Sequence, residues 1–208
     1  MKIAFLAAAN SPHTIKWANA LSESNEVTVF SMPEQKDEAG EISDKVTVVY
    51  LPFTSAQNGA KKNATQVKSY LAEGNFGVVN AFDATSYGVL AAKAKAPHVL
   101  LTVLGPDVYE SVDRGQKGLV MKSIKHADAI LAAAPNVITR VKSLFKKEKP
   151  FFVAPFGVDM KKFVKKDIQK PEDSMCFGSL KMLEFGNGVD MVIEAFGKYL
   201  EKTTGAAT

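Results

Sequence analysis

"KIAFLAAANSPHTIKWANALSE", residues 2–23, is the stretch whose reading decides the fold. Its first part, KIAFLAA (2–8), is an apolar run behind a single charged residue, the pattern of a strand buried on both faces of a parallel sheet. The polar residues Asn10 and Ser11 interrupt it. Pro12 then stands where a helix begins, and Ile15, Ala18 and Leu21 recur at helical spacing. The same N-terminus has the outline of a signal peptide, with Lys2 as a charged start and Ala7-Ala8-Ala9 as a cleavage-like site. Its apolar stretch is at the lower limit for one, and a buried first strand accounts both for that stretch and for the helical pattern behind it.

The alternation continues outward from this unit. EVTVFS (26–31), KVTVVYL (45–51), FGVVNAF (76–82), PHVLLTVL (97–104), DAILAA (128–133) and FFVA (151–154) are apolar runs of strand length, the earlier ones rich in β-branched residues. NGAKKNATQVKSYLAE (58–73), ATSYGVLAAKAK (84–95), residues 115–126 and PNVITRVKSLFKK (135–147) read as helices. The pattern predicts an α/β protein built on a doubly wound, mostly parallel sheet. Ligands in such sheets lie outside the C-terminal ends of the strands. A site is therefore expected among the loops AANSPH (8–13), AFDATSYG (81–88), LGPDVYES (104–111) and PFGVD (155–159). A second start comes in MCFGSLKMLEFGNGVDMVIEAF (175–196): a strand, a turn and a helix. The expected organisation is a domain over 1–160, a lysine-rich linker over 161–173, and a strand-helix unit over 174–208.

Composition narrows the function. The single cysteine, Cys176, excludes an internal disulfide, and no Cys/His spacing resembles a zinc site, so a reducing compartment is the default. The net charge is +4, yet only Arg114 and Arg140 are arginines. A nucleic-acid reader would favour arginine forks, so no nucleic acid is expected as a partner. Weak attraction to an anionic surface remains open. In residues 137–147, Val137, Val141, Leu144 and Phe145 share a face, with Arg140, Lys142, Lys146 and Lys147 largely elsewhere. That is either a basic helix resting on an anionic membrane or an ordinary surface helix packed on a sheet. No apolar run approaches the roughly 20 residues that span a bilayer.

Individual residues carry two readings each. His13, beside Asn10 and Ser11, either touches a ligand or bonds backbone at a helix start. One turn on, Lys16 is followed by Trp17, which reads as a core anchor rather than a stacking platform. Gly105 permits close approach, and Asp107 either accepts from a ligand hydroxyl or caps a turn. Gly157 reads as a tight turn and Asp159 as a cap. Gly188 precedes the last helix, where a phosphate site and a plain loop are both open.

Taken in order, NSPHTIKW (10–17), GVVNAFDATSYGVLAA (77–92), LTVLGPDVYES (101–111), ADAILAAAPNVITRV (127–141), APFGVDMKKF (154–163) and FGSLKMLEFGNGVDMVIEAF (177–196) resemble the motifs of family 4 glycosyltransferases. The resemblance runs through the whole chain. It implies one half of a GT-B fold: a Rossmann-like acceptor-side domain, followed by the first strand-helix unit of a donor domain. It also implies a retaining transfer from a nucleotide-sugar donor, with no cofactor and no metal. On this basis Asn10, Ser11, His13, Gly105 and Asp107 are the acceptor-side candidates, with His13 closest to the chemistry. Lys181 and Gly188 are the candidates for the donor phosphates.

The departures from the family pattern are equally specific. Ser179 stands where many relatives have a diphosphate-gripping Arg, and Phe82 where many end the fourth strand in His. The family's Glu-seven-Glu spacing occurs at Glu26 and Glu34, running from a strand into a polar loop, which is the wrong context. The chain alone is expected to transfer no sugar. The expected partners are a sugar or lipid-linked acceptor, and either a donor-domain polypeptide or a second copy held through 174–201. The expected location is cytoplasmic, at or near the inner membrane face. Two rival readings are a non-catalytic sugar-, lipid- or partner-binding module, and a sugar-nucleotide epimerase. The epimerase fits the alternation but not the NSPHTIKW…GVD set.

Overall fold

Each apolar run of the first 154 residues forms a strand in the computed structural model, which describes residues 1–165, 177–184 and 186–204. The strands are β1 (Lys2–Leu6), β2 (Glu26–Ser31), β3 (Val46–Tyr50), β4 (Val78–Phe82), β5 (Val99–Val103), β6 (Ala129–Ala132) and β7 (Phe151–Val153). They form one seven-stranded sheet in the order β3-β2-β1-β4-β5-β6-β7. Every neighbouring pair is parallel, so the sheet is wholly rather than mostly parallel. Ile3 pairs with Val27 on one side and Val78 on the other, which makes β1 and β4 the centre.

The helices are α1 (Pro12–Ser22), α2 (Gly59–Lys62), α3 (Ala64–Gly74), α4 (Gly88–Ala94), α5 (Lys117–His126), α6 (Pro135–Leu144) and α7 (Val189–Thr204). One sheet face, with Leu6, Ala81, Leu101 and Ile130, packs against apolar residues of α3 to α6. The opposite face, with Phe5, Val29 and Phe82, packs against Ala18, Trp17 and Leu21 of α1. Alternate residues of each strand supply the two faces, which is why the strands read as unbroken apolar runs.

Four local differences from the sequence expectation have physical causes. The helix expected over 58–73 is two helices. Asn63 sits fully buried between them, donating from Nδ2 to the Phe53 carbonyl (2.8 Å) and accepting at Oδ1 from the Phe53 N–H (3.2 Å). The helix expected over 84–95 begins with a single π turn, Asp83–Tyr87, and Asp83 holds φ +71°. Another π turn, Val112–Gln116, leads into α5, with Gly115 at φ +85° breaking the helical path. Residues 177–180, expected to belong to a strand, carry no regular structure; Met175 and Cys176 lie outside the described residues, as does the expected linker from residue 166 onward.

The chain divides into two compact units, Met1–Val158 and Asp159–Thr208. In the first, Gly157 makes its turn at φ +64°. In the second, Asp159 caps a short turn, accepting from the Lys161 N–H at 2.9 Å. There the Phe177 ring packs on Phe196 (5.2 Å) and Tyr199 (5.6 Å) of α7.

Candidate functional site

The chain runs from β1 to β2 in one direction across the sheet and later from β4 to β5 in the other. Sheets of this kind form a crevice where the order reverses, here at the C-terminal ends of β1 and β4. The end of β1 is stitched to the end of β2. The Ala9 N–H donates to Ser31 Oγ (3.0 Å), and the Asn10 N–H to the Gln35 carbonyl (3.2 Å). Asn10 is exposed and Ser11 half-buried. The Ser11 side chain leaves the start of α1 uncapped.

His13 lies in the first turn of α1. Its ring stacks on Phe156 at 3.8 Å and 21°, so the chain leaving β7 returns to cover the start of α1. Trp17, one turn on, meets Phe82 edge-on at 6.4 Å and Phe156 at 6.1 Å. It anchors the second core and walls the crevice at once. Burial, then the neighbouring Lys16 ammonium, hold the His13 pKa below the ordinary histidine range. The imidazole is therefore neutral at pH 7, with one nitrogen donating and the other accepting. Thr14 Oγ1, in the same turn, is buried with no hydrogen-bond partner.

Asp107 is turned inward. It is buried, with Oδ2 accepting from the Ala84 N–H (2.8 Å) and Oδ1 from Gly105 (2.9 Å) and Leu104 (3.1 Å). Its carboxylate ties the loop after β5 to the loop after β4. Gly105 holds φ +106°, a backbone that a side chain would strain. Thus Asn10, Ser11 and His13 share the loop after β1, while Gly105 and Asp107 brace the neighbouring loops from below.

The residue that sequence reasoning passes over is Asp83. It comes directly after Phe82, whose ring meets Trp17, and it adopts a left-handed backbone at the end of a central strand. Its Oδ1 accepts from the Thr85 N–H (2.7 Å), the Thr85 hydroxyl (3.0 Å) and the Ser86 N–H (2.5 Å). Burial raises its pKa to about 6, opposed by those hydrogen bonds and assisted by the Asp107 charge. The only sequence signal is the run Asp-Ala-Thr-Ser directly after an apolar strand, a composition that favours a side-chain-bonded turn.

Lys181 and Gly188 belong to the second unit. Lys181 is exposed, and its N–H donates to Ser179 Oγ at 3.4 Å. Gly188, at φ +69°, directly precedes α7. Among the described residues no His, Cys, Asp and Glu group is placed to hold a metal ion. None of their helices is long and apolar enough to cross a membrane. The amphipathic stripe of α6 faces inward: Val137, Ile138 and Val141 are buried in the core, as is Phe145 just beyond.

Comparison with known proteins gives the fold its family. Among solved structures, a sucrose-phosphate synthase chain from Thermosynechococcus elongatus is similar. The identity is 14%, the match covers 78% of this chain and 92% of that one, and the TM-score is 0.50. At that identity the likeness concerns the fold alone, a parallel Rossmann-like α/β sheet. No curated protein matches the chain. A family model described as glycosyl transferase 4-like matches residues 2–134, from β1 through β6. With more than half its length matched, the chain belongs to the glycosyl transferase 4-like family.

Proposed function

We propose that the first unit is the acceptor-binding half of a retaining glycosyltransferase that draws on a nucleotide-sugar donor. The observation that carries this is the surface at the β1/β4 crevice: the stacked His13–Phe156 pair and the Trp17 edge, next to the loop that holds Asp83. Aromatic faces and edges cover the C–H surface of a sugar. A neutral imidazole and a carboxylate exchange hydrogen bonds with its hydroxyls. Asn10 and Ser11 lie on the same loop and extend that polar rim. Lys181 and Gly188 would meet the donor diphosphate. Charge stabilisation of a leaving group dominates such transfers, and loss of one donor costs on the order of 10²–10³ in rate. With Ser179 in place of an arginine, the chain alone is expected to be inactive and to bind nucleotide-sugars no more tightly than about 1 mM.

Trp17 is the single tryptophan, so its fluorescence reports on the crevice directly. Neutral mono- and disaccharides are expected to change its emission, and Phe156→Ala or Asp83→Asn to weaken the response about tenfold. A full panel of saccharides without effect on Trp17 would sink this reading. Binding without transfer, persisting when a donor-domain polypeptide is supplied, would favour a non-catalytic module.

A further inference from the structure

A cavity of about 340 Å³ opens at the same end of the sheet, on the side of α2, α4 and α5. Its polar lining is Ser55, Asn58, Lys61, Thr85, Ser86 and Lys93, and Leu119 contributes to its apolar wall. Lys61 comes from α2 and Lys93 from α4, while Lys122 of α5 lies one turn beyond Leu119. Lys93 lies within electrostatic reach of both Lys122 and Lys61. The Lys122 charge first, then burial and a side-chain contact with Lys122, and last the Lys61 charge, hold Lys93 below the ordinary lysine range. Among the described residues none of the three is ion-paired. Two carboxylates do bond to lining residues. Glu34 accepts from Ser55 N–H (2.7 Å) and hydroxyl (2.6 Å), and Asp83 accepts from Thr85 and Ser86.

Uncompensated like charges destabilise the compact state, and a bound anion offsets that repulsion. Lysine ammonium groups suit a phosphate as point charges, and the hydroxyls and amides beside them complete its shell. The volume is at the lower end for small-molecule pockets, enough for a phosphate and a short carbon frame. Thr85 and Ser86 form its floor and also hold Asp83 in place, so the cavity adjoins the sugar-facing crevice. We propose that this cavity is a phosphate-binding pocket, and that the acceptor carries a phosphate ester seated between Lys61 and Lys93. The assignment of the ester to an acceptor rests on the acceptor-binding role proposed for the first unit. The ester belongs either to a soluble phosphorylated sugar or polyol or to a lipid headgroup.

The test uses the full chain with inorganic phosphate, glycerol phosphate, and vesicles of phosphatidylglycerol or phosphatidylcholine. The variant is Lys61→Gln with Lys93→Gln. Lys146→Gln with Lys147→Gln matches its charge change at the opposite end of the sheet, and circular dichroism checks that both fold. Phosphate and glycerol phosphate should bind with dissociation constants of about 1 mM, weakened at least about tenfold in K61Q/K93Q and unchanged in K146Q/K147Q. Capture by phosphatidylglycerol but not phosphatidylcholine vesicles, lost in K61Q/K93Q alone, assigns the ester to a lipid. Binding of glycerol phosphate without such capture assigns it to a soluble acceptor. Failure of all these probes to bind, or equal loss in both double variants, overturns the pocket. If Trp17 still answers neutral saccharides in that case, only the pocket fails. If phosphate binds and Trp17 answers no saccharide, the acceptor reading is what fails.

Discussion

At Asp83 a carboxylate and a left-handed backbone coincide at the end of a central strand. Non-glycine residues rarely hold φ near +71°, and Asp and Asn tolerate it because their side chains bond the next amides along the chain, as this one does. The pKa, raised from 3.8 to about 6, means that the folded chain keeps this proton where the unfolded chain has released it. Stability therefore falls as pH rises from about 4 to about 6, then levels. Asp83 remains partly exposed, so the loss is about 1–2 kcal/mol. Asparagine keeps the backbone and the accepting oxygen without the charge. Asp83→Asn should therefore melt near wild type at pH 4.5 and above it at pH 7.5, with saccharide binding weakened at pH 7.5, where the wild type carries the carboxylate. A variant that tracks wild type across the whole range would show that the carboxylate is not shifted. Beyond the turn-forming run Asp-Ala-Thr-Ser after an apolar strand, nothing in the sequence separates Asp83 from the exposed aspartates. Its burial comes from Asp107 and α5, residues distant in the chain, and Asp107 itself stands out in sequence only through the glycine two residues before it.

Among the elements, the strands were legible, as were the helix starts at Pro12 and Pro135, whereas the starts of α2 to α5 were not. A strand buried on both faces leaves an unbroken apolar run, whereas a helix boundary here depends on tertiary bonds such as Asn63 to Phe53. Sequence alone leaves open which apolar residues of α6 and α7 are covered. Only the structure shows that Val137 and Val141 are buried while Met191 and Ile193 are exposed. Packing of α4 depends on Gly88, where a Cβ would come within 2.7 Å of the Asp83 carbonyl and 2.9 Å of both Leu101 Cδ1 and Ser123 Cβ. Ser123 itself donates to the Ala84 carbonyl at 2.7 Å, so α5 cannot withdraw without losing that bond. Gly88→Ala gains helix propensity but overpacks the junction, and a net destabilisation of about 2 kcal/mol is expected. Urea denaturation measures it, and an unchanged midpoint would mean that the helices slide apart freely.

For the whole molecule, the apolar surface of the second unit dominates. Leu183 is 86% exposed, Met191 70% and Ile193 65%. Large apolar side chains exposed in one short segment point to an interaction site. The chain is expected to self-associate through it in the absence of another partner. Light scattering should give a mass above the monomer that falls when Met191 and Ile193 are both replaced by lysine. Identical monomer masses for the two proteins would exclude association through α7. The sequence already marked residues 174–201 for a donor-domain polypeptide or a second copy, and Met191 and Ile193 fall within that segment.

The strand order also sets a timetable for synthesis. β1 is made first yet lies in the middle of the sheet, and its second neighbour, β4, arrives only with residues 78–82. At roughly 5–20 residues per second, the growing chain carries an unpaired apolar edge for several seconds before Val78 can reach Ile3. Parallel pairings across such separations form slowly even in the complete protein. Fragments ending near residue 75 should therefore sediment as aggregates when expressed alone, while fragments extending through β7 stay in solution. Equal solubility of the two would mean that β1 finds shelter before its partner exists.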